Sequence, residues 1–151
     1  MIDSFGNTLK FLRLGMAAAK NNTAELDHPY KLNFCVTYRC QSRCLTCNIW
    51  QIKPKDELEL WEIQEFTRKN PYFRWLQLTG GEPFLRKDIV DIAKAFFENS
   101  PGLYVVTIPT NALCERSYVI SKVRAMLDMG IPKLAITISL DGYRELHDEI
   151  R

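Results

Sequence analysis

Regular alternation of β-rich and helical segments predicts an α/β domain: a parallel sheet of four β/α units preceded by one extra helix. Three observations carry this. Short β-rich runs begin at Lys31, Phe73, Leu103 and Lys133, the last three about thirty residues apart, the length of a strand–helix–strand crossover. Between them, apolar residues recur every three or four positions, the period of a helix face. Polar, Gly- and Cys-containing motifs fall at or just after the end of each run, where ligands bind in parallel α/β proteins. Right-handed crossovers then lay the strands side by side in the order 1-2-3-4.

The chain has 151 residues, enough for one domain with its own core. Net charge is +2 with no block of like charge, so nothing marks a nucleic-acid surface. No apolar run is long enough to span a bilayer. Phe11 to Ala19 resembles a signal core, but Arg13 interrupts it and Lys20 follows. Five cysteines, three of them crowded together, fit reduced metal-binding thiols in a cytoplasmic protein better than a disulfide framework.

The elements follow in order. Phe5, Leu9, Leu12, Met16 and Ala19 mark one face of an N-terminal helix, expected to pack that face on the domain rather than on a membrane surface. With a polar linker ending at Pro29, it forms segment 1–30, and the core domain is 31–151. The first strand covers 31–37. Cys35 lies within it and is expected to be a small core residue. A loop follows to about residue 55, then a helix over 60–69 stopped by Asn70-Pro71. The second strand, 73–79, runs into Gly80-Gly81-Glu82-Pro83, and a helix covers 86–98. The third strand, 103–108, is a nearly continuous apolar run, as for a strand buried on both faces. A helix over 115–129 ends at Gly130, placed for a left-handed C-cap, and the fourth strand covers 133–140.

The chemistry centres on Cys40-Gln-Ser-Arg-Cys44-Leu-Thr-Cys47. Three thiolates on one short loop wrap one corner of a metal site, one ligand short of closed tetrahedral zinc or a fully ligated iron–sulfur cluster. A structural zinc would need Cys35 or Cys114 as a fourth ligand. A redox dithiol would use Cys44 and Cys47 and leave Cys40 unexplained. Gly80-Gly81 permits close approach of backbone, to a ligand or within a tight turn. Glu82 adds negative charge, and Pro83 suits a helix start. Ser139 and Asp141, two apart on a strand, would point to one side. Asp141-Gly142 and Asn111 are also ordinary turn residues. His28 and His147 have no partner histidine at ligand spacing and read as non-metal.

Together, Cys40/Cys44/Cys47 at C-x3-C-x2-C, Gly80-Gly81-Glu82-Pro83, Thr110-Asn111, and Ser139 with Asp141 in Ile138-Ser-Leu-Asp-Gly142 resemble the radical S-adenosylmethionine (SAM) enzymes. The resemblance is strongest to the branch holding the molybdenum-cofactor and peptide-maturing (SPASM-type) enzymes. His147-Asp-Glu-Ile-Arg151 is similar to the family's segment after strand four. The resemblance implies a partial (β/α)6 TIM-like barrel, of which this chain would be the N-terminal portion, with Met1 a true start and the sheet ending after strand four. It implies that the three cysteines hold three irons of a [4Fe–4S] cluster whose fourth iron is chelated by SAM. Gly80, Gly81 and Glu82 would hold the methionyl ammonium. Ser139, Asp141 and Asn111 would contact ribose or the methionyl end. A one-electron donor such as a flavodoxin or ferredoxin would drive cleavage of SAM to a 5′-deoxyadenosyl radical acting on a small-molecule or peptide substrate. Two positions depart from the usual pattern: Thr46 stands where an aromatic is common, and Ala112 replaces the glycine of Thr-Asn-Gly. A sheet stopping at strand four is expected to leave an unpaired outer edge and an apolar inner face, favouring self-association.

Overall fold

The computed structural model describes residues 4–151. Among the described residues, eight of nine α-helices and strands follow the expected order, and α5 is added: α1 Ser4–Asn21, β1 Lys31–Thr37, α2 Leu60–Lys69, β2 Trp75–Gly80, α3 Ile89–Asn99, β3 Val105–Thr110, α4 Arg116–Asp128, β4 Lys133–Ile138 and α5 Glu145–Ile150. The four strands form one parallel sheet in the order β1-β2-β3-β4.

Alternation along the strands decides where the core lies. Leu76 and Leu78 of β2 and Val106 and Ile108 of β3 point to one face and are fully buried. They meet Ile63 of α2, Ile89, Ile92 and Phe96 of α3, and Met126 of α4. Phe34, Phe66, Phe73 and Phe96 pack there with ring centroids 5.3 to 6.4 Å apart. Gly130 takes the left-handed conformation expected of it (φ 84°), and its N–H donates to the Leu127 carbonyl at 2.9 Å.

Several expectations are corrected. β3 is not buried on both faces, because Val105, Thr107 and Pro109 are only half-buried. The second face is polar rather than apolar: register puts Asn33, Gln77 and Thr107 abreast on adjacent strands. The Trp75 indole N–H donates to Thr107 Oγ1 on that face at 3.3 Å. Cys35 shares the face and is exposed, not a core residue. β2 begins two residues later than expected, since Phe73 serves the core from outside the ladder. A 3₁₀ turn, Pro83–Leu85, intervenes before α3, which starts at Ile89 instead of 86. β4 stops at Ile138, so Ser139 and Asp141 lie beyond the strand and strand alternation does not align them. The short helix α5 has no counterpart in the sequence reading. In α1 the predicted inward stripe is the outward one: Phe5, Leu9, Leu12, Met16 and Ala19 are all exposed.

Behind the cysteine loop, Arg86 acts as a clamp. Its guanidinium donates to both carboxylate oxygens of Asp88 (2.6 and 3.1 Å), to the Val36 carbonyl (3.2 Å) and to the Leu58 carbonyl (2.7 Å). The bond from Arg86 holds the Asp88 carboxyl below its usual pKa, against partial burial that pushes it up. A depressed carboxyl stabilises the fold above its unfolded pKa and loses that contribution as pH falls through the folded value. Asp88→Asn is therefore expected to cost about 1 kcal/mol at pH 7. The gap to wild type should close as pH drops below about 4, read by urea unfolding at both pH values. A gap that stays constant with pH would show that the charge plays no part.

Candidate functional site

The cysteine loop leaves β1 at Thr37 and is fastened from three sides. The first fastening is backbone to backbone. Gly81 N–H donates to the Thr37 carbonyl and Glu82 N–H to the Arg39 carbonyl, each at 2.8 Å. A Cβ on Gly81 would lie 2.1 Å from the Arg39 oxygen; one on Gly80 would lie 2.3 Å from the Thr37 oxygen. Gly80 also has φ 123°, open to glycine and few others. The Gly-Gly pair thus lets the cysteine loop itself lie against the end of β2.

The second fastening is Glu82, which is 1% exposed. Its Oε1 accepts from the Thr110 hydroxyl (2.8 Å) and the Phe84 N–H (3.2 Å), and its Oε2 from the Asn111 N–H (2.8 Å). A carboxylate offers about four acceptor positions, and three are filled. The structure gives Glu82 a different first task from the expected ammonium contact: it locks the end of β3 to the end of β2. Pro83 opens the 3₁₀ turn Pro83–Leu85 rather than a helix.

Asn111 spans the gap to the cysteines. Its Nδ2 donates to Ser42 Oγ at 2.9 Å and lies 3.8 Å from Cys40 Sγ, and its Oδ1 accepts from Leu113 N–H and from Gln41 Nε2. Ala112, the next residue, has φ 60°, a left-handed conformation that an alanine side chain resists. Ala112→Gly is expected to raise unfolding stability by about 1 kcal/mol, measured by urea titration. An unchanged or lower midpoint would mean the turn relaxes at no cost.

The third fastening comes from the last residues. Ile150 carbonyl accepts from Leu45 N–H at 2.8 Å. Arg151 pairs with Asp141 and places Nη1 3.6 Å from Cys44 Sγ. Asp141, expected to meet a ligand, is thereby engaged by Arg151, while its N–H donates to His147 Nδ1 at 3.3 Å. Ser139 is held by its N–H to the Thr110 carbonyl, 2.9 Å, at the mouth of the same edge.

Cys40 is half-buried, Cys44 buried and Cys47 exposed. Burial pushes the Cys40 thiol above its usual pKa, so metal binding there must displace a proton. Among the described residues, no three ligating side chains already converge on one point. The donor set nevertheless fits a cluster: three thiols of one short loop, anchored chiefly by its backbone and by Ser42, with only long contacts to the Cys40 and Cys44 sulfurs. Cys114 is also near, with Sγ 3.6 Å from Gln41 Nε2. Sequence reasoning missed Glu57, which accepts from the Thr37 hydroxyl and the Tyr38 N–H at 2.8 Å, and Arg86. Only the position of Arg86 just after the Gly-Gly-Glu-Pro motif could have pointed to it.

Fold and site together define a parallel α/β protein with a thiol loop at its ligand-binding edge. Its homologues include a GTP 3′,8-cyclase of Erythrobacter litoralis, 31% identical over 149 residues, 93% of this chain and 36% of that protein. Another is the molybdenum cofactor biosynthesis protein moc-5 of Caenorhabditis elegans, 33% identical over 76% of this chain and 19% of that protein. The crystal structure of BtrN in complex with AdoMet and 2-DOIA matches with a TM-score of 0.57 at 16% identity, over 82% of this chain and 51% of that one. That likeness establishes the fold. The chain spans about a third of the GTP 3′,8-cyclases it matches, and no protein-family model matches it. Among the described residues no helix is long and apolar enough to cross a membrane.

Proposed function

We propose that this chain is the cluster- and SAM-binding part of a radical SAM enzyme. One observation carries the reading: the cysteine loop, the Gly80-Gly81-Glu82 motif and the Thr110-Asn111 motif form a single hydrogen-bonded frame at the sheet's C-terminal edge. The homologues are consistent with it. Cys40, Cys44 and Cys47 would hold the [4Fe–4S] cluster. Gly80 and Gly81 would face the methionyl ammonium, with Glu82 holding Thr110 and Asn111 in position behind them. Ser139 and Asp141 would line the ribose side. Held there, cluster and SAM would together supply the chemistry of one-electron reductive cleavage of the sulfonium, giving methionine and a 5′-deoxyadenosyl radical. The protein's own part would be to hold the three thiols on a loop fastened to the end of β2 and to the Ile150 carbonyl, with Cys44 buried and Cys47 exposed. The electron would come from a donor such as a flavodoxin or ferredoxin, and the substrate would be a small molecule or a peptide.

Anaerobic reconstitution should yield about four irons and matching sulfide per chain. In the protein at its native length, dithionite and SAM should then give 5′-deoxyadenosine by chromatography. An intact cluster with no nucleoside product would overturn the reading. A structural zinc site is the second reading, favoured by the proximity of Cys114 to Gln41 in the loop. It requires stoichiometric zinc that survives chelation and is lost in Cys114→Ala.

A further inference from the structure

From the exposed stripe of α1 we infer that this helix is an interfacial anchor for an anionic lipid bilayer, an assignment independent of the reaction proposed above. Phe5, Leu12 and Met16 are 82%, 53% and 62% exposed, and Leu9 lies between them on the same face. The opposite face is the one that touches the domain. Lys10 Nζ sits 5.7 Å from the Phe97 ring centroid, and the Phe11 ring lies 5.7 Å from that of Tyr104. An apolar face turned outward along four turns is the reverse of a core-packing helix.

Charge selects the occupant. Residues 4–21 hold Lys10, Arg13 and Lys20 and no Asp or Glu; Asp3 precedes the helix in sequence. Projected at 100° per residue, Arg13 and Lys20 flank the apolar stripe on one side, where their stems can lie along acyl chains and their charges reach headgroups. An amphipathic helix of this kind, with cations beside Phe, Leu and Met, lies in the interface plane of anionic membranes. A second copy packed stripe to stripe would set Arg13 and Lys20 beside their own counterparts, with no acidic residue of the helix between them. The contact with Tyr104 also fixes the side of the domain. Tyr104 precedes β3, at the N-terminal edge of the sheet, so α1 sits at the end opposite the cysteine loop. A docked bilayer would leave the thiol edge open to the aqueous phase.

The test is vesicle co-sedimentation of the purified chain on phosphatidylglycerol and on phosphatidylcholine vesicles, with size-exclusion chromatography alongside. Binding is expected on the anionic vesicles and at least about tenfold weaker on the neutral ones. It should fall again in 1 M salt, where screening shortens to roughly 3 Å. Leu12→Gln with Met16→Gln should abolish it, and Arg13→Gln with Lys20→Gln should weaken it about tenfold or more. All four side chains face solvent, so both variants should fold, and their melting curves check this. Absence of binding, equal binding to both lipids, or binding unchanged in the stripe variant would overturn the inference. So would a dimer dispersed by the stripe variant without any vesicle binding, which would make the stripe a contact between copies.

Discussion

Alanine at Cys40, Cys44 or Cys47 is expected to reduce iron from about four per chain to less than one, while alanine at Cys35 or Cys114 leaves loading intact. The separation follows from where each sulfur sits. The three loop cysteines belong to one segment whose backbone is fixed by Gly81, Glu82 and the Ile150 carbonyl, and whose Ser42 side chain is held by Asn111. Cys35 is upstream on β1, where its sulfur approaches its neighbour Thr37's carbonyl at 3.6 Å. Cys114 lies on a separate segment before α4 and is bonded to the loop through the Gln41 side chain, a flexible link. On the function proposed above, losing one of three thiolates would open the cluster to solvent, whereas losing a neighbouring thiol would not. Iron and sulfide analysis of the five single variants decides. If Cys35→Ala or Cys114→Ala loses iron as fully as Cys44→Ala, the ligand set is wrong.

Gly81→Ala is expected to be the most damaging substitution that touches no thiol. The new Cβ would stand 2.1 Å from the Arg39 oxygen, 2.6 Å from the Arg39 carbonyl carbon and 3.0 Å from the Tyr38 oxygen. All three are main-chain atoms, so no rotamer change relieves the clash; the loop must move away. Moving it breaks the bonds from Gly81 to Thr37 and from Glu82 to Arg39. A cost of about 3 kcal/mol, with reduced cluster loading, is expected. Gly15→Ala is the control: nothing lies within 4 Å of its new Cβ, and on α1 alanine should be neutral or mildly stabilising. Chemical unfolding and iron content of both variants test the claim. A Gly81→Ala protein that unfolds like wild type and binds iron fully would show that the loop is not held by this contact.

Element order, strand pairing and the gathering of the polar motifs at one edge of the sheet were legible in the sequence because they rest on local periodicity and on crossover length. The runs containing Leu76, Leu78, Val106 and Ile108 declare themselves as strands wherever their partners lie. What was not legible depends on which side a partner stands. The stripe of α1 has a correct helical period, but periodicity cannot tell a face turned to the core from one turned to solvent. The apolar run of β3 suggested two buried faces; its half-exposed side emerges only when register sets Thr107 beside Gln77. Glu82 looked like a charge offered to a ligand because sequence does not show that Thr110 and Asn111, almost thirty residues on, return to occupy it. Glu57 and the bonds from Arg86 to the Val36 and Leu58 carbonyls were invisible for the same reason, since those partners are distant in sequence.

The attachment of Cys40's loop to Asn111, 71 residues further along, has a consequence for biosynthesis. At about 5–20 residues per second, a ribosome takes roughly 4 to 14 s to extend the chain from the one to the other. For most of that interval, from Cys47 onward, the three thiols are already made, but the side chain that fastens their loop to β3 is not. The nascent segment is then an unsupported run of nucleophiles, open to oxidation and to capture by stray metal ions. On the function proposed above, a cofactor delivered after β3 has docked would meet a fastened loop, so the order of synthesis would act as a kinetic filter on what the loop acquires.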